Sequence, residues 1–271
     1  MLKLYWWNKE NFGDWISPYI FKKYLIPYKY SELIDADVVS LGSTLGWSIK
    51  SFKFIFRRKE LSVLGTGCMS NFSLSFFDKI RVKSHKFLLL RGPLTLNIFR
   101  NYAGIHTPCG DPGLLVGIFN EAAKIKNYEC GIIPHHSQYL DFLKIDIPSK
   151  WKLIDPRTTD CEEVINAIAD CEFIMSQSLH GLIVADSLQI PNAWIWNRDL
   201  HEGGKFKFFD YFLTVKRPSP LVYQFEDFSD INLDNFETIK YNKFLIDKNT
   251  LESRQRVIIE AFNLVKNKYP I

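Results

Sequence analysis

The feature that most constrains this chain is a regular alternation of short, almost wholly apolar runs with longer amphipathic stretches, sustained along most of its length. Runs at 2–6, 37–41, 61–64, 86–90, 130–134, 151–154, 172–175 and 192–195 are dominated by Val, Ile, Leu and aromatic residues. Half-buried strands alternate apolar with polar residues, whereas near-continuous apolar runs are what parallel strands buried on both faces require. Helices must then cover both faces, and strand–helix alternation supplies them. Residues 160–170 place Val164, Ile165 and Ile168 on one helical face, with Thr159 and Glu162 spaced as a capping box. A second helix is expected from Ser178, carrying Leu179, Leu182, Ile183 and Ala185 inward. The 271 residues exceed the roughly 250 at which a single core stops growing. The predicted fold is therefore α/β, with two Rossmann-like lobes of mainly parallel sheet. Residues 1–125 are expected to form the first lobe and 126–250 the second, with a boundary in the polar stretch 121–127. A final helix within 251–271 is expected to return and brace the first lobe.

Composition removes several function classes. A net charge of +4 is too small to argue for nucleic acid, but it is compatible with one local basic pocket for a small anion. Cys68, Cys109, Cys130, Cys161 and Cys171 are odd in number and show no zinc-ligand spacing, so buried free thiols and no metal are expected. The first seven residues lack the pattern of a secretory leader, and no apolar run approaches the roughly 18 residues a membrane span needs. A cytoplasmic location is expected, with peripheral contact at the inner face of the membrane left open.

Ligands of open α/β sheets bind beyond the carboxyl ends of strands, so the turns that follow strands carry the chemistry. Asn11-Phe12-Gly13-Asp14 follows the first strand and precedes a helix expected near Ser17-Pro18. Asp14 either orients and deprotonates a hydroxyl there or simply caps that helix. Gly42-Ser43 and Gly65-Thr66-Gly67 end strands with exposed amides suited to an oxygen ligand. Arg91, delivered by an apolar strand before Gly92-Pro93, either grips a carboxylate or phosphate with its planar fork or forms a structural ion pair. His135 and His136 close the first strand of the second lobe, where at most one of two neighbours faces a ligand. Ser178-Leu179-His180-Gly181 sets a histidine in the first turn of a helix, a natural anion site, and His180 serves there as a proton donor or only as a cap. Lys205 and Lys207, in a glycine-led aromatic segment ending at Asp210-Tyr211, share one face if that segment is extended. They either complete an anion pocket or snorkel at the surface.

Taken in order, NFGD, GS, RGPLT, GDPGLL, PHHS, IDPR, SLHGLIVADSL and the KF–DY segment resemble the polysaccharide pyruvyl transferase family, over about residues 11–211. The similarity is most specific across 155–191. The resemblance implies a two-lobed, glycosyltransferase-B-like fold with the active site in the inter-lobe cleft. It also implies phosphoenolpyruvate as donor, a sugar hydroxyl pair as acceptor and no redox cofactor. Carried over, Arg91 matches the family's donor-anion arginine and His180 its histidine before glycine. Better-studied relatives carry an arginine two residues before that histidine, where this chain has Ser178; the donor's charge must then be met elsewhere, with Lys205 or Lys207 the candidate. The expected roles are His180 as acid and Asp14 as the first choice of base, with His135 or His136 in reserve. Ser178, Gly181, Arg91, Lys205 and Lys207 are expected around the donor, and Asn11, His135, His136 and Asp210 around an acceptor that is free or lipid-linked. The rival readings are a nucleotide-sugar glycosyltransferase of the same plan and a non-catalytic carbohydrate-binding relative.

Overall fold

The computed structural model describes residues 1–120, 125–198, 200, 204–218 and 222–269. Its first sheet is built from β1 (Leu2–Tyr5), β2 (Tyr28–Tyr30), β3 (Val38–Ser40), β4 (Leu61–Leu64) and β5 (His85–Leu89), all parallel, in the order β2-β1-β3-β4-β5. The second contains β6 (Cys130–Ile133), β7 (Trp151–Leu153), β8 (Ile174–Ser176), β9 (Asn192–Trp196), β10 (Val222–Gln224) and β11 (Lys243–Phe244). Its order is β10-β9-β8-β6-β7, again parallel; β11 alone runs antiparallel and shares the outer edge of β9 with β10. The fold is thus α/β with two mainly parallel sheets, as the sequence pattern predicts.

Every residue of β3, β4, β6, β8 and β9 is buried, which explains their unbroken apolar runs. The three strands that the pattern does not announce, β2, β10 and β11, lie at sheet edges and are half-exposed. Tyr28-Lys29-Tyr30 has no apolar run to read because only one of its edges is paired.

Each sheet has the same order, with the chain stepping first to one side of the opening strand and then to the other. The two points where direction reverses lie between β1 and β3 and between β6 and β8. Adjacent strand ends diverge there and open a crevice beyond their carboxyl ends. The helices that follow are Phe12–Lys23 after β1 and Leu179–Ser187 after β8. The first starts five residues earlier than Ser17 and takes Pro18 inside it, at the position whose missing N–H would have bonded the carbonyl of Asp14. The helix Cys161–Ala169 is capped by Asp160, which accepts from the Glu163 N–H at 3.1 Å, while the Asp160 N–H donates to Thr158 Oγ1, so a one-way cap one residue later replaces the expected Thr159–Glu162 box. Part of the stretch 121–127 lies outside the described residues.

The helix Lys248–Lys268 lies against the first sheet. Phe262 packs on Phe21 and Tyr24, Gln255 donates to the Leu114 carbonyl at 2.9 Å, and Lys268 pairs with Glu60 at 2.6 Å. The largest apolar cluster runs without a break from Leu4 and Phe21 through Leu114 and Ile183 to Trp194, so the two sheets share a core.

Candidate active site

The two reversal points face each other, and a cavity of about 230 Å³ lies between them. Asn11, Asp14, Ser43 and Trp47 line it from the first lobe, and His135, His136, Pro156, Ser178, His180 and Lys207 from the second. A larger, more open groove of about 820 Å³ lies beside β7 and the helix Cys161–Ala169. It holds none of the groups just named, and the smaller cavity is where the chemistry converges.

Asp14 sits in the first turn of its helix, and its Oδ2 accepts from the Asn11 side-chain amide at 2.6 Å. Burial pushes its carboxyl up to about 7, against the opposing pull of Lys207 and the Asn11 hydrogen bond. Opposite it, the β3 turn passes through Leu41 at φ +62° and Gly42 at φ +75°. A leucine in the left-handed region costs about 1–2 kcal/mol, a strain typical of backbone bent to serve a site.

His180 rests directly on Gly13. A β-carbon built on Gly13 would stand 2.2 Å from its Nδ1, so only glycine admits the imidazole here. This contact couples the NFGD turn of one lobe to the SLHG helix of the other. Burial, then the charges of Lys207 and Arg91, push His180 down to about 3, and its buried Nε2 has no hydrogen-bond partner among the described residues. Burial and then Arg91 likewise bring Lys207 down to about 7, with Asp14 pulling the other way. Lys207 makes no ion pair among the described residues. Ser178 caps the helix, accepting from the Gly181 N–H at 3.4 Å. His135 is buried, with its Nδ1 2.8 Å from the Ser137 hydroxyl. His136 lies against it at 4.0 Å between rings, held low by burial and Lys207. Both histidines line the cavity where at most one is expected from strand alternation, because the strand ends at Ile133 and the pair lies in the turn beyond it.

Four expected positions differ. Arg91 does not line the cavity: it is 0% exposed, and each of its three nitrogens already donates. Nε bonds Asp210 at 3.1 Å, Nη1 bonds Ser43 Oγ at 2.6 Å and the Gly42 carbonyl at 3.3 Å, and Nη2 bonds the Cys68 carbonyl at 2.6 Å. Asp210 is equally buried, and also accepts from the Thr95 N–H at 2.9 Å and hydroxyl at 2.7 Å, capping the helix Pro93–Ala103 from outside. RGPLT and Asp210 therefore form a clasp between elements instead of flanking a ligand, and Gly67 makes room for the guanidinium. Lys205 and Lys207 do not share a face, because residues Phe206–Thr214 are helical; Lys205 lies over Trp194 and Trp196 at 5.8 and 5.6 Å. Gly181 packs against the Ser176 hydroxyl and not into the cavity. Trp7, Trp47, Met69 and Pro156 also line the site. Only Pro156, inside the IDPR motif, carried a signal.

Comparison with known proteins then decides the family. The profile of the polysaccharide pyruvyl transferase family matches residues 2–199. The chain belongs to that family. Among relatives of this pyruvyl transferase family member, an uncharacterized protein of Acanthamoeba polyphaga mimivirus is 29% identical over 66% of this chain. The succinoglycan biosynthesis protein ExoV of Rhizobium meliloti is 25% identical over 79% of it. In each case the match spans 65% of the relative's own length. The crystal structure of a functionally uncharacterized Klebsiella pneumoniae protein shares the fold, with a TM-score of 0.50, 10% identity, and coverage of 83% of this chain and 92% of that one. The family match stops at 199, short of the helix that supplies Lys207.

Proposed function

We propose that this chain transfers a pyruvyl group from phosphoenolpyruvate to two hydroxyls of one sugar in a bacterial surface polysaccharide or its precursor, closing a cyclic ketal. The observation that carries the reading is the meeting of Lys207, His180 and Asp14 in one cavity, each with its protonation equilibrium displaced by burial. Family membership and the likeness to a succinoglycan biosynthesis protein support a polysaccharide acceptor. A volume near 230 Å³, below the roughly 300–1,000 Å³ of drug-sized ligand sites, favours a three-carbon donor over a nucleotide sugar.

The displaced equilibria suggest how the donor is used. Lys207 and His180 are held low because a buried cation is costly and other cations stand nearby. A ligand bearing carboxylate and phosphate reverses that balance, since an opposite charge within about 4–6 Å favours the protonated forms. Donor binding thus draws protons onto both groups. Lys207 holds the anion, and His180 passes its proton to the methylene carbon, leaving a cationic centre with a new methyl group. One sugar hydroxyl attacks that centre and gives its proton to Asp14, whose value near 7 suits a group that takes and returns protons at neutral pH. The C–O bond to phosphate breaks, and the second hydroxyl closes the ring. Of the two hydroxyl protons released, one balances the proton gained by the methyl group and the other leaves with phosphate. Arg91 acts from behind, fixing the Gly42 carbonyl and Ser43 at the cavity wall.

The test pairs ligand binding with turnover. Phosphoenolpyruvate is expected to raise the melting temperature while nucleoside diphosphates do not, and phosphate release should require donor and acceptor fragments together. Stabilisation by a nucleoside diphosphate alone would transfer the site to a glycosyltransferase.

A further inference from the structure

Exposed aromatic residues stand at the rim of the cavity and again on two elements that adjoin it in the fold. Trp7 and Trp47 form that rim, partly exposed, with ring centroids 4.9 Å apart. Trp47 belongs to the helix Leu45–Lys50, which leads into the 3-10 turn Phe52–Phe56 and packs on the helix Phe76–Arg81. The turn and the second helix also pack on each other. In the turn, Phe54 points inward while Phe52 and Phe56 are 66% and 71% exposed, their rings 5.7 Å apart. In the helix, Asp78 and Arg81 point inward while Phe76, Phe77 and Ile80 are exposed. Single exposed apolar residues need no explanation, but five on two adjoining elements mark an interaction surface.

The surrounding charge selects the partner. Residues 50–83 carry eight lysines and arginines against Glu60 and Asp78, a net of +6 in a chain whose total is +4, so the rest of the molecule is net negative. Asp78 is buried and engaged by Lys50 at 2.6 Å and Arg81 at 3.0 Å, which leaves the outer face to cations such as Lys53, Arg58, Lys79 and Lys83. Aromatic rings among lysines and arginines suit a bilayer interface, where rings settle at headgroup depth and cations meet anionic lipid. A second copy of this face would set like charge against like. Among the described residues no helix is long and apolar enough to cross a membrane, so contact from one side is the geometry available to them. The other aromatic-basic stretch, 205–211, does not compete, because it is helical from Phe206 and buries Phe208 and Tyr211 in the core.

We propose that the face formed by Phe52, Phe56, Phe76, Phe77 and Ile80 docks reversibly on an anionic lipid bilayer. The docking does not depend on the transferase reading above.

The test uses the full chain with vesicles of phosphatidylcholine alone or with 30 mol% phosphatidylglycerol, a proportion of about one third at which surface potential is substantial. Binding is expected only with the anionic lipid, with at least a tenfold loss in Lys53→Glu/Arg58→Glu/Lys79→Glu and in Phe56→Ser/Phe76→Ser/Phe77→Ser. Both variants should keep wild-type melting temperatures and phosphate release with water-soluble acceptor fragments. No binding to anionic vesicles, undiminished binding by the variants, or a stable dimer that masks the face would overturn the docking. Vesicle binding without turnover on any acceptor sinks the transferase reading and leaves the surface standing. Turnover without vesicle binding does the reverse.

Discussion

The molecule buries charge in two adjoining places and treats it in opposite ways. Around Arg91 and Asp210 every nitrogen and both carboxylate oxygens have partners, and the pair joins residues 119 apart in sequence. Around Asp14, His180 and Lys207 the charges are desolvated but under-paired: Lys207 makes no ion pair among the described residues and His180 Nε2 no hydrogen bond. Completed pairing binds elements together, whereas incomplete pairing leaves room for an ionic guest. Buried charge alone does not identify a site; what matters is whether its partners are already present.

Substitutions can break this contrast from either side. The largest effect is expected from His180→Ala, a loss of about 10²–10⁴-fold in turnover, the usual worth of a proton-transfer group, with the melting temperature nearly unchanged. Phosphate release together with thermal melting checks it, and near-normal turnover would remove His180 from the chemistry. Arg91→Ala should behave oppositely and cost about 3–5 kcal/mol of stability in urea unfolding, because Asp210 is left charged and buried without its partner. The double change Arg91→Met/Asp210→Leu should cost less than the two single losses added. Lys207→Met removes a buried cation that has no ion-pair partner among the described residues, so it should raise the donor KM at least tenfold while leaving stability equal or greater. A large loss of stability there would place Lys207 with Arg91 as architecture.

Stability against pH sharpens the contrast further. The Asp14 value, raised from 3.8 to about 7, stabilises the fold fully below 3.8 and loses that contribution as pH rises through 7. The His180 value, lowered from 6.5 to about 3, contributes stability above 6.5 that disappears as pH falls through 3. Melting temperatures of Asp14→Asn from pH 4 to 8 should lack the first slope and keep the second. Because Asp14 and Lys207 interact, that slope belongs to the pair. Smaller still is Gly13→Ala, expected to cost about 1–3 kcal/mol through overpacking, with a turnover loss from the displaced imidazole. The smallest is Lys205→Met, which loses only the cation–π contacts with Trp194 and Trp196, together about 0.5–2 kcal/mol, and should leave donor KM unmoved.

The same contrast explains what could be read from sequence. The buried strands were legible because a strand covered on both faces has to be apolar throughout. Asp14, His180, His135 and Ser178 were legible as cavity residues because turns after such strands are where crevices open. What Arg91 does was not legible. A buried arginine after a strand has the same local pattern whether it meets a ligand or Asp210, and the partner is supplied by a distant helix. Lys205 and Lys207 could not be separated for a related reason. The segment holding them is helical only because Phe208, Tyr211 and Phe212 find Trp194 and the shared core, a tertiary outcome with no local signature. The rim tryptophans Trp7 and Trp47 lie in no motif, and only folding brings them together.

The closing helix Lys248–Lys268 follows the second sheet in the chain yet spends its apolar face on the first. Any hybrid that grafts the leading half of one relative onto the trailing half of another would therefore import a foreign surface beneath Phe21 and Leu114. Such swaps should succeed only when this last segment travels with the half it lies against, so a design that treats the molecule as two beads on a string will cut it in the wrong place.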